Sequence, residues 1–320
     1  MPLDAEIQPV IDLVDAVGAP DPDEAGVDVL RDDFALMCVG FGPGPEGVSV
    51  TDIDVSGRGG AVPARVYRPD DDARAALVFF HGGGYVIGSI ETHDALCREL
   101  AVGAGIVVVS VGYRLAPEHP YPAPLDDGED ALAAIVDRAD ELGLDPRRLA
   151  VGGDSAGGNL ATVVAGRWAG RRASDPSLPP LRFQLLYYPV CEFCGPAGRF
   201  PTLVENGEGY LLTAQVMDYF GRTYLRGTQV DAASADVSPV NADPSHLASL
   251  PPALVITAEF DPLRDEGETY AGLLARAGVD VTLTRYDGAV HSFVQMSSFA
   301  AIGRRAIEQS TAALRGALAP

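Results

Sequence analysis

The 320-residue chain contains no lysine: all 23 of its basic side chains are arginine, set against 45 acidic ones. That absence removes several chemistries at once. There can be no Walker A lysine, no Schiff base and no Ser-x-x-Lys nucleophile. The surplus of acid, a formal net charge of −22, argues against nucleic acid and anionic membrane as partners, because both require positive surface. It also raises the expectation of salt adaptation, since screening relieves the self-repulsion of a strongly acidic surface. A genome biased towards Arg codons is the plainer origin.

Long hydrophobic runs are missing too. The longest, LAVGAGIVVVSV (100–111), falls short of the ~20 apolar residues that span a bilayer. It reads as a helix end followed by a buried strand, so no membrane span is expected. The opening MPLDAEIQPV lacks a basic segment and carries Asp4 and Glu6, so no signal peptide is expected and the location is expected to be cytoplasmic. Cysteine is scarce: Cys38, Cys97, Cys191 and Cys194. Only Cys191 and Cys194 form a CxxC, in a Pro/Gly-rich loop, and a lone pair at that spacing is a weak metal or redox signal. Neither a cofactor nor a metal is expected. What is present, 47% hydrophobic and 21% charged residues, excludes a mainly disordered chain. The length fits one α/β core with an appended cap.

After an amphipathic helical region (4–40), strand-like and helix-like runs alternate. The strand-like runs are VSVTDIDV (48–55), AVPARVYR (61–68), ALVFF (76–80), IVVVSV (106–111), RLAVGG (148–153), RFQLLYY (182–188), ALVIT (253–257) and VDVTLTRY (279–286). Several are continuously apolar, as for strands buried on both faces of a parallel sheet. The last alternates, with Val279, Val281 and Leu283 on one face, which suits an edge. Helical runs fall between them at 92–103, 126–142, 156–170, 264–278 and 297–316. The expected fold is a mostly parallel eight-stranded sheet flanked by helices, its first two strands forming a hairpin. Residues 195–247 are too long for an ordinary connection and hold a helical run, TAQVMDYFGRTYL (213–225). With the N-terminal helices, this segment is expected to cap the sheet.

In such sheets ligands bind beyond the carboxyl ends of the strands, so the residues that follow each strand matter most. VGGDSAGGNLA (151–161) surrounds Ser155 with glycine and alanine and fits G-x-S-x-G from Gly153 to Gly157. In that strand-to-helix elbow the serine is held in a strained conformation with its hydroxyl exposed, and its flanks must be small because strand and helix nearly touch. A linker is excluded by the hydrophobic strand before it and the helix beginning near Asn159. After ALVFF comes HGGGY (81–85), whose glycine N–H groups can approach a ligand closely. Gly83 and Gly84 are the expected oxyanion donors with Ala156, and Gly82 is the runner-up. His81 is expected to brace the loop by a hydrogen bond, and Asp154 to brace loops beside the nucleophile.

EFDPLRDEG (259–267) places Asp261 four residues past its strand, with Glu259 as the alternative carboxylate. Asp265 and Glu266 read as first-turn acids favourable with the helix dipole. DGAVHSF places His291 five residues past the last strand. His93, His119 and His246 have weaker contexts. Ser155, Asp261 and His291 then follow in the Ser…Asp…His order of α/β-hydrolases, at the ends of three different strands.

HGGGY (81–85), YRLAPEHPYPAPLDD (113–127), GDSAGGNLA (153–161), DPLRDEG (261–267), HSF (291–293) and EGYLLT (208–213) together resemble the bacterial hormone-sensitive-lipase-like, family IV carboxylesterases with the GDSAG motif, over nearly the whole chain. The resemblance implies a Ser155–Asp261–His291 triad, an oxyanion hole from Gly83, Gly84 and Ala156, and hydrolysis of short- to medium-chain acyl esters. The small-molecule ester is the expected partner, with a homodimer admitted. The division that follows is N-terminal cap helices 1–45, α/β-hydrolase core 46–194 and 248–320, and a cap insertion 195–247. The apolar cap and the Tyr187–Tyr188 region are expected to wall the substrate. The same machinery acting on a lactone, acetylated sugar or amide is the alternative. A non-catalytic binding protein on this fold, of the kind that lacks the histidine, is disfavoured by His291.

Overall fold

The run ALVFF is buried at all five positions, and its side chains alternate between two cores. Val78 and Phe80 belong to one hydrophobic cluster, Leu77 and Phe79 to another. A strand covered on both faces needs apolar residues at odd and even positions alike, which is why the run is continuous. Each such side chain contributes about 1.5–3 kcal/mol by leaving water.

This pattern repeats through a computed structural model that describes residues 2–193 and 199–320. Across these residues eight strands form one sheet, in the order β1-β2-β4-β3-β5-β6-β7-β8. They are β1 (Ser49–Gly57), β2 (Gly60–Arg68), β3 (Ala76–Phe80), β4 (Val107–Val111), β5 (Leu149–Asp154), β6 (Leu181–Tyr187), β7 (Ala253–Phe260) and β8 (Val281–Val290). β1 and β2 form the expected hairpin, β2 runs antiparallel to β4, and the remaining neighbours are parallel. Helices Ala123–Asp137, Ala156–Ser174 and Arg264–Arg276 cover one face through Leu132, Leu160 and Leu274. Helices Asp94–Ala104 and Ala301–Ala317 cover the other through Leu100 and Leu314, joined by Ile7, Ile11 and Phe41 from the N-terminal segment.

Two strands run further than expected. β7 continues to Phe260 and β8 to Val290, and these two residues are paired across the ladder. A register shift in β7 between Ala258 and Phe260 and a left-handed Gly288 (φ 85°) in β8 carry the pairing past positions where composition suggests a turn. At the outer end of β8 the expected alternation is only partly buried, with Leu283 42% exposed, as an edge strand allows.

Two further stretches contribute residues to the cavity described below. The first carries helices Gln8–Val17, Pro22–Ala25 and Val27–Gly40; the second carries Thr202–Glu205 and Ala214–Tyr224. Thr213 caps the longest helix of the second stretch by accepting the Val216 N–H at 3.2 Å. The stretches are tied together by Gln215 donating to Asp21 at 3.1 Å and by Arg222 to Asp23 at 3.1 Å. Arg31 pins the first stretch to the body. Its guanidinium grips both oxygens of Glu118 at 2.7 Å and donates to the carbonyls of Val86 and Ala116.

Candidate active site

The turn after β5 is as tight as the sequence implies. Ser155 has φ 56° and ψ −120°, and the helix opens at Ala156 rather than near Asn159. A Cβ on Gly153 would collide with Gly157 and the Phe80 carbonyl, and one on Gly157 with the carbonyls of Phe80 and His81. The strand, the helix and the β3 loop therefore pass one another with no room for a methyl group. The Ser155 N–H donates to the Tyr187 carbonyl at 2.9 Å, and the Ser155 carbonyl accepts from Val190 at 3.1 Å. Among the described residues, the non-glycine residues with positive φ are Tyr85, Ser155, Tyr188 and Ser292. All four belong to the loops around this serine, and backbone strain of that kind concentrates where function over-determines geometry.

The β3 loop presents its glycines to the same place. Gly83 (φ 114°) and Gly84 (φ 61°) are both in the left-handed region. A side chain on Gly83 would strike the Ile87 carbonyl, and one on Gly84 the Phe220 ring of the helix above. The Gly83 carbonyl accepts from Val86 and Ile87 at 3.0 and 2.9 Å. Gly82 is unsuited to be a donor to substrate, because its N–H already donates to Asp154 at 2.8 Å. Ala156 is the first residue of its helix, where backbone N–H groups lack intrahelical acceptors.

Asp154 faces the back of that loop. Burial favours its neutral acid, but His93 beside it, with Nε2 3.0 Å from Oδ1, holds the carboxyl below the usual range. His81 Nδ1 lies 2.8 Å from the Gly82 carbonyl, its ring stacks on Tyr113 at 4.3 Å, and the Tyr113 hydroxyl donates to its carbonyl at 2.6 Å. Complete burial pushes its imidazole down to about 3, so it stays neutral.

Asp261 and His291 directly follow the paired residues Phe260 and Val290. They leave adjacent parallel strands in step, and His291 Nδ1 lies 2.7 Å from Asp261 Oδ2. The expected spacings of four and five residues past the strands are thus corrected to one each, because both strands run on to the site. Asp261 is fully buried and its Oδ1 accepts the Leu263 N–H at 2.8 Å. Glu259, the alternative carboxylate, accepts the Gly288 N–H at 2.7 Å.

Ser155, His291, Gly83, Gly84 and Asp154 line one cavity of about 700 Å³. Both stretches line it, with apolar Phe34, Met37, Leu211, Met217 and Phe220 beside charged Asp218 and Arg222. Tyr187 and Tyr188 do not line it. Both are fully buried beneath the floor, a correction that follows from β6 carrying them into the core. Cys191 is a free, buried thiol, its ionisation pushed up by burial; Cys194 lies outside the described residues. Among the described residues no group of His, Cys, Asp and Glu is arranged to hold a metal ion.

Three contributors escaped the sequence reading. Glu266 is not a surface acid serving a helix dipole: it is 5% exposed, lines the cavity and accepts the N–H groups of Cys191 and Glu192 at 2.7 and 3.3 Å. Burial pushes its carboxyl up to about 8. His93 supports Asp154, as above. Asn159 accepts from the Tyr85 hydroxyl at 2.7 Å and donates to the carbonyls of Val190 and Val237 at 2.9 and 3.0 Å, joining three loops. A polar residue inside an otherwise small and apolar helix start was the available signal for Asn159. For Glu266 and His93 nothing local distinguishes them from surface residues.

These features define a hydrolase site on an α/β sheet, and residues 77–295 match a family model described as the alpha/beta hydrolase fold. The chain is 43% identical over 262 residues to carboxylesterase NlhH of Mycobacterium tuberculosis, covering 80% of this chain and 79% of that protein. It is 42% identical over 254 residues to the ethyl acetate hydrolase of Pseudomonas putida, covering 78% and 77%. A hyperthermophilic esterase from the archaeon Pyrobaculum calidifontis superposes with a TM-score of 0.90 at 43% identity, over 99% of both chains. The chain belongs to the hormone-sensitive-lipase-like carboxylesterases of the α/β-hydrolase fold. It is a carboxylic ester hydrolase.

Proposed function

We propose that the chain hydrolyses short- to medium-chain esters of small molecules through an acyl-enzyme on Ser155, with His291 as base and Asp261 as its orienting carboxylate. The observation that carries this reading is the 2.7 Å contact between His291 Nδ1 and Asp261, with the imidazole and Ser155 facing one cavity. With Nδ1–H donating to Asp261, Nε2 is free to accept the Ser155 proton as Oγ bonds to the ester carbonyl carbon. The developing oxyanion is held by the N–H groups of Gly83, Gly84 and Ala156, each such donor being worth about 3–4 kcal/mol in the transition state. The alcohol leaves with the proton from the imidazolium, and water repeats the sequence on the acyl-enzyme. His81 and Asp154 act by holding the β3 loop. The mixed apolar wall supports acyl chains of modest length, and the two capping stretches (1–45 and 195–247) form its roof over a core of 46–194 and 248–320.

Ser155→Ala tests the reading. Turnover of p-nitrophenyl esters is expected to fall by several orders of magnitude, leaving roughly 10³–10⁴-fold over water. Undiminished turnover, or failure of an organophosphate to label Ser155, overturns it. Among the described residues no helix is long and apolar enough to cross a membrane. A cytoplasmic setting fits the free thiols of Cys38, Cys97 and Cys191. A homodimer is the assembly included in the proposal, checked by light scattering on the purified chain.

A further inference from the structure

The residue that follows β6 combines three unfavourable features. Tyr188 adopts φ 33°, a region in which a bulky side chain is strained. It has no solvent exposure, and its hydroxyl is buried without a hydrogen-bond partner. Native structures seldom keep an orphaned polar atom in the core without a use for the group that carries it.

The use lies in what the ring touches. Its centroid is 4.6 Å from that of His291, tilted at 54°, and 6.1 Å from Phe293. The backbone around it holds the nucleophile: the Tyr187 carbonyl accepts the Ser155 N–H, and Val190 donates to the Ser155 carbonyl. The Tyr188 N–H is itself fixed on the Ile256 carbonyl of β7 at 2.6 Å. One short turn therefore supports the serine through its main chain and the imidazole through a closely packed aromatic ring.

We propose that Tyr188 is a positioning residue for the reaction, its ring restricting the His291 imidazole and stabilising the imidazolium formed as Ser155 gives up its proton. An aromatic face attracts a cation held against it, and the attraction is strongest where water is excluded. The inference rests on the Ser155–His291–Asp261 reading above. The other groups acting on the imidazole are Asp261 on Nδ1 and the Asp154 carboxylate at the end of β5, while Glu266 acts on Asp261. All three stay unaltered in the test.

The test compares Tyr188→Phe, Tyr188→Leu and a series with fluorinated phenylalanines at 188, assayed with one activated ester across the acid limb of kcat/KM. Tyr188→Phe keeps the ring and is expected to hold kcat within about 2-fold, since the hydroxyl makes no hydrogen bond. Tyr188→Leu is expected to lower kcat about 10- to 100-fold with KM within about 3-fold, through loss of alignment. It should also move the acid limb down by about half a pH unit to one, because the imidazolium has lost its aromatic neighbour. Ring fluorination weakens the π face at nearly constant size, so the limb should step down with each added fluorine even where Tyr188→Leu does not fold. A limb that stays in place across the fluorinated series overturns the proposal, as does a Tyr188→Leu enzyme with unchanged kcat. Ser155→Ala, assayed alongside, separates the two failures: full turnover in that variant defeats the triad reading itself, whatever Tyr188 does.

Discussion

The floor and the roof of the cavity are built on opposite terms. The floor consists of strand ends and turns in which Gly153 and Gly157 leave no space for a methyl group, and Asp261 is entirely buried. The roof consists of short helices joined by surface ion pairs such as Arg222–Asp23, and it leaves Leu36, Val39 and Val204 more than 70% exposed. In the floor every atom is held by several others, so a small change propagates into the reacting groups. In the roof, contacts are few and local, so a side chain can change the shape of the cavity without disturbing the reaction. On the proposed reading, chemistry belongs to the floor and selectivity to the roof, and variants in each test that separation.

The largest effect is expected from Asp261→Asn, which keeps the shape but favours the wrong imidazole tautomer. A loss in kcat of about 10⁴-fold is expected with folding intact, read from steady-state kinetics beside a circular dichroism melt. A loss under 10-fold would remove Asp261 from its assigned role. Next comes Gly157→Ala, which drives a methyl group into two backbone carbonyls and should destabilise the fold by about 3 kcal/mol or more. Denaturant unfolding checks this; a neutral result would mean the floor can relax, and the contrast with the roof would weaken.

In the roof, Met217→Ala should change the ratio of kcat/KM between long and short p-nitrophenyl esters by about 3- to 10-fold, the scale of a methylene or two in an apolar pocket. An equal effect on all chain lengths would place Met217 with the catalytic floor instead.

Glu266 allows the same comparison through pH. Its folded value, about 8, lies above its ordinary 4.5. The native state thus keeps a proton that the unfolded chain has released, and stability from this group is full below about pH 4.5 and is lost as pH rises through about 8. Glu266→Gln should flatten that slope, so the wild-type and variant melting temperatures should differ in their pH dependence between pH 5 and 8.5. Parallel curves would contradict the burial argument.

The smallest effect is expected from Arg222→Ala, whose surface ion pairs should move Tm by no more than ~2 °C. The net charge of −22 supplies the final check: if the acidic surface reflects salt adaptation, Tm should rise with added salt. A flat or falling curve removes that expectation.

Much of the fold was legible because its signals are local. Continuous apolar runs such as ALVFF mark strands buried on both faces, and the glycines around Ser155 mark a turn that nothing larger fits. Strand ends were harder. β7 and β8 run on to Asp261 and His291 through a register shift and a left-handed glycine, features that a hydrophobicity pattern does not record. Glu266 and His93 were passed over for a related reason. An acid in the first turn of a helix and a histidine at a helix start have unremarkable surface explanations, and only their burial against Cys191 and Asp154 distinguishes them. The expectation for Tyr187 and Tyr188 erred in the other direction, since a position at the end of a strand says nothing about which side of the floor a side chain occupies.

By itself, the order of residues determined the sheet, the elbow and the glycine loop and singled out Ser155, Asp261 and His291 as the candidate catalytic residues, because each signal depends on neighbours a few positions away. Tertiary structure alone decided that Phe260 pairs with Val290, so that Asp261 meets His291, and that Tyr188 lies under the imidazole. Those contacts join separate strands and loops, and their geometry is set by the register and packing of the whole sheet.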